Sequence, residues 1–258
     1  MSLGLLGSLL EALDLPSQAR IDQRIPKKLL IENGAPTTAD KRLIQDGIEE
    51  LTWVAALKPT SIGVPSFKND EREYLEIAVL TAELRPEAKR GRLTELLHRA
   101  VPYPVLLFEA ANAAENVTFS LANKRNSQNE AGKTVLEALH ATLVPIEAPL
   151  LTDFKAALSL GANPRQDMYV LYQGWLNCLM AWETSRITGK FDVSASAADV
   201  EKTREALEEI AGMNKELSLA KAAAKKERQL NRRVELNLRI KKYETEIERI
   251  RNRLMGID

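Results

Sequence analysis

Three side chains have the types, though not the full spacing, of a metal-dependent nuclease. Such an enzyme uses one acidic residue and then a strand carrying an acid and a lysine two positions apart. The carboxylates hold the divalent ion, and the lysine sits beside the charge that develops at the phosphate. Glu76 opens an alternating stretch, Glu109 follows a compact apolar run, and Lys124 follows a third such segment. Ala78 occupies the lysine slot after Glu76, Ala111 occupies it after Glu109, and Lys124 is too far along to complete either pattern. The alternative reading is that all three are solvent-facing strand ends.

Other chemistry is weaker still. Ser127–Thr134 reads SQNEAGKT and ends like a phosphate-binding loop. Ser127 stands where that loop needs its first glycine, and Asn123–Asn126 are polar where a buried strand should end. His98 lies beside Arg99 on a helical pattern, and neither it nor His140 has a serine or cysteine nucleophile in a suitable turn. The lone cysteine, Cys178, excludes an internal disulfide and a cysteine zinc site, and two histidines are too few for most metal clusters. No cofactor or metal is therefore expected, and a non-enzymatic role is preferred.

The elements that would position these residues divide into three stretches. Residues 1–147 read as a mixed α/β domain. An apolar N-terminal helix ends near Pro16, and its Glu11 and Asp14, with no basic segment before them, mark it as amphipathic and not a secretory leader. Short helices follow over 27–32 and 40–50, the second capped by Thr38. Residues 51–57, 61–64, 74–84, 103–108 and 117–122 have strand character, separated by a helix over 90–100. The polar stretch 123–133 reads as a turn, and 134–143 reads as a returning strand with a helix as the alternative. The expectation is a sheet of four or five strands with helices packed on it.

Residues 148–190 read as helical. One helix spans 150–160, and a stronger one runs from Asn163-Pro164 to Ile187. On it Met168, Tyr172, Trp175, Leu176, Leu179 and Trp182 share a face; such a stripe is core far more often than a ligand pocket. Residues 195–258 contain no proline and a single glycine, Gly212, before the final turn. Ser196 with Asp199 resembles a capping box. If unbroken, this is a helix of roughly 85–90 Å. Val200, Leu207, Ile210, Leu217 and Ala224 keep a three-four spacing, and Leu236, Ile240, Tyr243, Ile247, Ile250 and Leu254 keep it too. That is the signature of a long coiled-coil helix. The two runs are out of phase, which implies a stutter or a hairpin between residues 212 and 232. Leu230, Val234 and Leu238 fall on nearly the opposite face, so this segment must touch two bodies.

Charge is informative only locally, because 36 Lys and Arg balance 36 Asp and Glu. Between Lys221 and Lys242 lie nine basic residues against Glu227 and Glu235. On an unbroken helix Lys221, Lys225, Arg228, Arg232, Arg239 and Lys242 form one stripe. It has three readings: a solvated flank, a surface for a protein partner, or a contact for a nucleic-acid backbone. No apolar run reaches the roughly 18 residues of a membrane span, so a cytoplasmic protein without membrane contact is expected.

Several segments resemble the bacterial DUF4391 family. They are Ile25-Pro26-Lys27, Trp53 through Leu57-Lys58-Pro59-Thr60, Leu75-Glu76-Ile77-Ala78-Val79, Ala100-Val101-Pro102-Tyr103-Pro104-Val105-Leu106 and Glu227 through Asn237. The resemblance spans roughly residues 20–255. It implies a gene beside helicases and DNA methyltransferases in restriction-like, anti-phage clusters, and no established catalytic residues. The combined expectation is an α+β protein, with a sheet domain, a helical segment and a long coiled-coil helix. It would serve as an accessory subunit docking a helicase or methyltransferase through the coiled coil, with a degenerate nuclease or a structural homodimer as alternatives.

Overall fold

The computed structural model describes residues 4–111, 116–127, 134–193 and 197–256. In chain order the elements are α1 (Leu5–Ala12), β1 (Arg20–Arg24), α2 (Lys27–Gly34), α3 (Thr38–Gly47), β2 (Ile48–Leu57) and α4 (Pro59–Ile62). A small ribbon, β3 (Phe67–Lys68) with β4 (Glu73–Tyr74), precedes β5 (Ile77–Leu84), α5 (Arg90–Ala100), β6 (Val105–Ala111), β7 (Asn116–Asn126) and β8 (Thr134–Pro145). The remainder is helical: α6 (Leu151–Leu158), α7 (Met168–Thr188), α8 (Ala197–Lys226) and α9 (Leu230–Met255). The fold is α+β. The chain divides into two compact units, residues 1–179 and 180–258.

The first unit is built on a six-stranded sheet of order β1-β2-β5-β6-β7-β8. The β5–α5–β6 crossover makes one parallel pair, and every other pairing is antiparallel. Because side chains alternate across a strand, each strand feeds two layers. Ala78, Leu80, Ala82, Val105 and Leu107 meet Leu30 of α2, Ile44 of α3 and Leu93, Leu96 and Leu97 of α5. The alternate positions face the other way, where Phe108 stacks on Phe119 (centroids 4.7 Å apart) and Phe119 meets Phe154 of α6 edge-on. Each fully buried phenylalanine contributes about 1.5–3 kcal/mol.

Two close approaches lock the first layer. A Cβ on Gly34 would lie 2.6 Å from the Cβ of Ala100, so α2 and α5 touch at a point where only hydrogen fits. Arg92 of α5 donates from Nε and Nη2 to the two oxygens of Asp40, at 2.8 and 2.9 Å. This fork, with the Thr37 hydroxyl, holds the Asp40 carboxyl down to about 2.

Several boundaries differ from those expected. The cap of α3 is Thr37, whose Oγ1 accepts from the Asp40 amide, and not Thr38. The helix stops at Gly47, and Ile48–Glu50 belong to β2, because Ile48 pairs with Leu84 and Glu50 with Glu83. The sheet has six strands because β1 adds an edge whose five residues are all exposed, so no alternation announces it, whereas 61–64, expected as a strand, begins inside the short helix α4 and adds none. The strand reading of 134–143 holds, in β8. The polar stretch 123–133 is not all turn, since β7 runs to Asn126 with Lys124 opposite Leu136. The helix expected from Asn163-Pro164 starts at Met168, where Asp167 Oδ1 accepts from the Val170 amide. Its stripe is core: Met168, Tyr172 and Trp175 have no exposed surface. Ser196 of the expected capping box lies outside the described residues.

In the second unit the expected single long helix is two. The chain breaks at Glu227–Gln229, within the anticipated window, and α9 returns along α8. Ala206 and Ile210 pack on Ile247 and Ile250, flanked by Met213, Leu217 and Leu254. Ion pairs Lys221–Glu244 (2.7 Å) and Arg253–Glu209 (3.7 Å) cross the pair in the same antiparallel register. The fold-back follows from the phase error: two apolar runs that cannot share one straight seam can each cover the other.

Candidate functional site

The three nuclease candidates do not converge. Glu109 lies on β6 opposite Ala82 of β5 and Thr118 of β7. Glu76 precedes Ala82 by six residues, and Lys124 follows Thr118 by six, so each is about 20 Å along the strands from Glu109. Glu76 is paired with Lys58 Nζ at 3.4 Å. Among the described residues no group of three His, Cys, Asp or Glu side chains is placed to hold one metal ion. Most of the phosphate-loop-like segment, residues 128–133, lies outside the described residues.

Glu109 is instead part of a buried polar seam under α5. Its Oε2 lies 2.8 Å from Thr94 Oγ1, which is also 3.0 Å from the Arg90 carbonyl. One hydroxyl proton cannot serve both acceptors. The geometry balances when Glu109 is the neutral acid and donates to Thr94, whose own proton goes to Arg90. Burial pushes Glu109 up to about 7, in keeping with that arrangement. Its other oxygen, Oε1, is buried without a partner, a position that a neutral carbonyl oxygen tolerates better than a carboxylate. Nearby, His98 Nε2 lies 3.0 Å from Ser120 Oγ, while Nδ1 is buried and unpartnered. Burial, with the Lys124 charge, drives His98 down to about 3, so it is a neutral core imidazole. Burial likewise pushes the Cys178 thiol up to about 12. His140 lies on β8 opposite Leu121.

Lys124 has a structural task that its sequence position does not announce. Beyond Leu107↔Ser120 the strands β6 and β7 part, and two side chains fill the opening. Tyr172 Oη accepts from the Ala122 amide at 2.8 Å and faces the Val105 and Ala122 carbonyls. Lys124 Nζ donates to the Val101 and Tyr103 carbonyls, pinning the bend between α5 and β6. Burial lowers its ammonium to about 7, while the two carbonyl acceptors favour the charged form.

That bend forms one wall of a cavity of about 310 Å³ at the margin of the core. Gln23 and Arg24 of β1, Leu29 and Asn33 of α2, Trp53 of β2 and Tyr103 surround it, over a floor that includes Ile25 and Val101. Three of the segments that carry the family resemblance therefore meet in one place. Sequence reasoning missed this cavity because its walls come from four separate stretches.

On the hairpin, the six-member basic stripe is divided. Lys221 and Lys225 lie on α8, Arg228 lies in the loop, and Arg232, Arg239 and Lys242 lie on α9. Lys221 is engaged with Glu244, and Arg239 Nη2 is 3.4 Å from the Tyr243 hydroxyl. The heptad positions are used internally. Ile247 and Ile250 are buried, Leu254 packs on the same cluster, and Leu236, Ile240 and Tyr243 are half-buried. Those residues do not offer the free docking seam expected of them. The open apolar row is on the other face, where Leu230, Val234 and Leu238 are 64%, 50% and 63% exposed.

No helix among the described residues is long and apolar enough to cross a membrane. No curated protein and no solved structure matches the chain. The family model described as "Domain of unknown function (DUF4391)" matches residues 13–247, from the end of α1 well into α9, and the chain belongs to that family.

Proposed function

We propose that this protein is a non-enzymatic accessory subunit that docks a larger partner through the outer face of its C-terminal hairpin. One observation carries the reading. Leu230, Val234 and Leu238 recur at every fourth position on α9, all half-exposed or more, on a helix whose inner face is already seated on α8. An apolar row of this kind on a surface element marks a contact site. Arg228, Arg232 and Arg233 flank it, so the partner surface is apolar with an acidic rim. The resemblance to a family encoded beside helicases and methyltransferases names the candidates, and a restriction-like, anti-phage system is the setting. The nuclease reading would require Glu76 and Glu109 on one ion with Lys124 beside it, and the strand register keeps Glu109 about 20 Å from the other two.

The test is light-scattering chromatography of the purified chain, alone and mixed with its helicase or methyltransferase neighbours. A heavier complex, lost when Leu230, Val234 and Leu238 become serine and weakened by charge reversal at Arg228 and Arg232, is the expected result. A self-association lost in the same variants would replace the adaptor with a homodimer. A monomer that ignores every neighbour would remove the hairpin's docking role.

A further inference from the structure

The cavity beside Trp53 gathers side chains that the core uses only in part: Trp53, Ile25 and Val101 pack on it from one side and line the cavity from the other. Trp53 and Tyr103 are half-buried, and among the described residues neither ring packs on another aromatic ring, unlike the Phe67, Tyr74, Tyr169 and Tyr172 cluster. The Gln23 amide and the Tyr103 hydroxyl make no hydrogen bond to another described residue. Arg24 is 67% exposed, with Glu50 3.6 Å away as a loose partner. The site thus holds two aromatic side chains without an aromatic partner, a neutral donor–acceptor amide and one cation.

Three of its walls are also held in place by separate contacts. Trp53 Nε1 donates to the Ala55 carbonyl at 2.9 Å, which fixes the indole. The Gly34–Ala100 approach sets α2 against α5. Lys124, which does not line the cavity, holds the carbonyls on either side of Pro102. A site whose walls are fixed before binding loses little freedom when a ligand enters. Its 310 Å³ lies at the small end of the range for ligand pockets, which suits one flat ring with its sugar and not a dinucleotide.

We propose that this cavity binds a nucleotide. The base lies against Trp53 and Tyr103, the Gln23 amide meets its polar edge, and Arg24 takes the phosphate. Aromatic faces accept any base, and an amide supplies both donor and acceptor. The shared chemistry is a base with its sugar phosphate, supplied either free or as an unpaired residue of a single strand, and the experiment separates these sources. The proposal is independent of the hairpin's docking role.

Tryptophan fluorescence reads the site directly. Trp175 and Trp182 are buried at 0% and 2% exposure, so quenching by an added ligand reports on Trp53. The full chain is titrated with adenosine, with the 5′-monophosphates of adenosine, guanosine, cytidine and thymidine, and with a short oligothymidylate. Saturable quenching is expected, about tenfold weaker or more in Tyr103→Ala. Arg24→Ala, at an exposed position, should bring the adenosine monophosphate down to the affinity of adenosine. Saturation by the monophosphates identifies a free-nucleotide site, and saturation by the oligonucleotide alone identifies a single-strand site. The proposal is overturned if none of these quenches saturably, or if both variants bind like the parent.

Discussion

The sheet unit and the hairpin each carry residues on the unexpected side, and they do so in opposite senses. The sheet unit buries polar groups: Glu109, His98 and Ser120 have no exposed surface, and Lys124 is 4% exposed. The hairpin exposes apolar ones: Leu219, Leu230, Val234 and Leu238 are all at least half exposed. Buried polar and exposed apolar residues are the informative deviations from ordinary burial. In the sheet unit most of the deviation is met within the fold, by neutral protonation states and by backbone acceptors, with His98 Nδ1 and Glu109 Oε1 left without a partner. In the hairpin nothing in its own two helices covers the row. The first set therefore holds the fold, and the second faces outward.

The largest loss of stability is expected in the aromatic layer. Phe119→Ala should cost about 3–5 kcal/mol, because it empties the stack between Phe108 and Phe154. Chemical denaturation measures it, and a loss under about 1 kcal/mol would mean the layer is not the seat of stability. Ile250→Ala in the hairpin should cost about 2–4 kcal/mol, but locally. Amide exchange would show protection lost over 206–254, with β5 and β6 as the internal reference; uniform loss would show that the hairpin does not open by itself.

A smaller effect tests the buried seam. Glu109 is raised from 4.5 to about 7, so between those values the folded state binds the extra proton and stability falls as pH rises. His98, lowered to about 3, acts oppositely, its penalty growing as pH falls below 6.5. The difference between Glu109→Gln and the parent isolates the first group. The variant should gain on the order of 2 kcal/mol relative to the parent between pH 5 and 8. A constant difference across that range would show Glu109 charged throughout.

The smallest effect is expected on the exposed row of the hairpin. Val234→Ser should change stability by less than about 0.5 kcal/mol, since the side chain is half in water already. A loss near 2 kcal/mol in the isolated chain would show the row covered by the chain itself.

Apolar pattern alone was enough to place α5, which has one face to bury, the strand around Tyr103–Phe108, an unbroken apolar run because both its faces are covered, and the apolar stripe of α7. It also showed that the two heptad runs of the C-terminal segment could not share one straight seam. What periodicity cannot carry is the identity of the covering surface. The heptad residues of α9 had a definite apolar face, and only the fold-back at Glu227–Gln229 decided that α8 would cover it. Strand β1 was invisible because an exposed edge needs no alternation, and Ile48–Glu50 joined a strand because β5 offered them a partner. Glu109 and Lys124 were legible as an acid and a base beside strands, but their roles depend on Thr94 and on the Val101 and Tyr103 carbonyls, contacts that only tertiary packing creates. The cavity at Trp53 draws on residues from Gln23 to Tyr103. Its walls lie far apart along the chain, and proximity between them is a property of the packed sheet and helices, not of any local stretch.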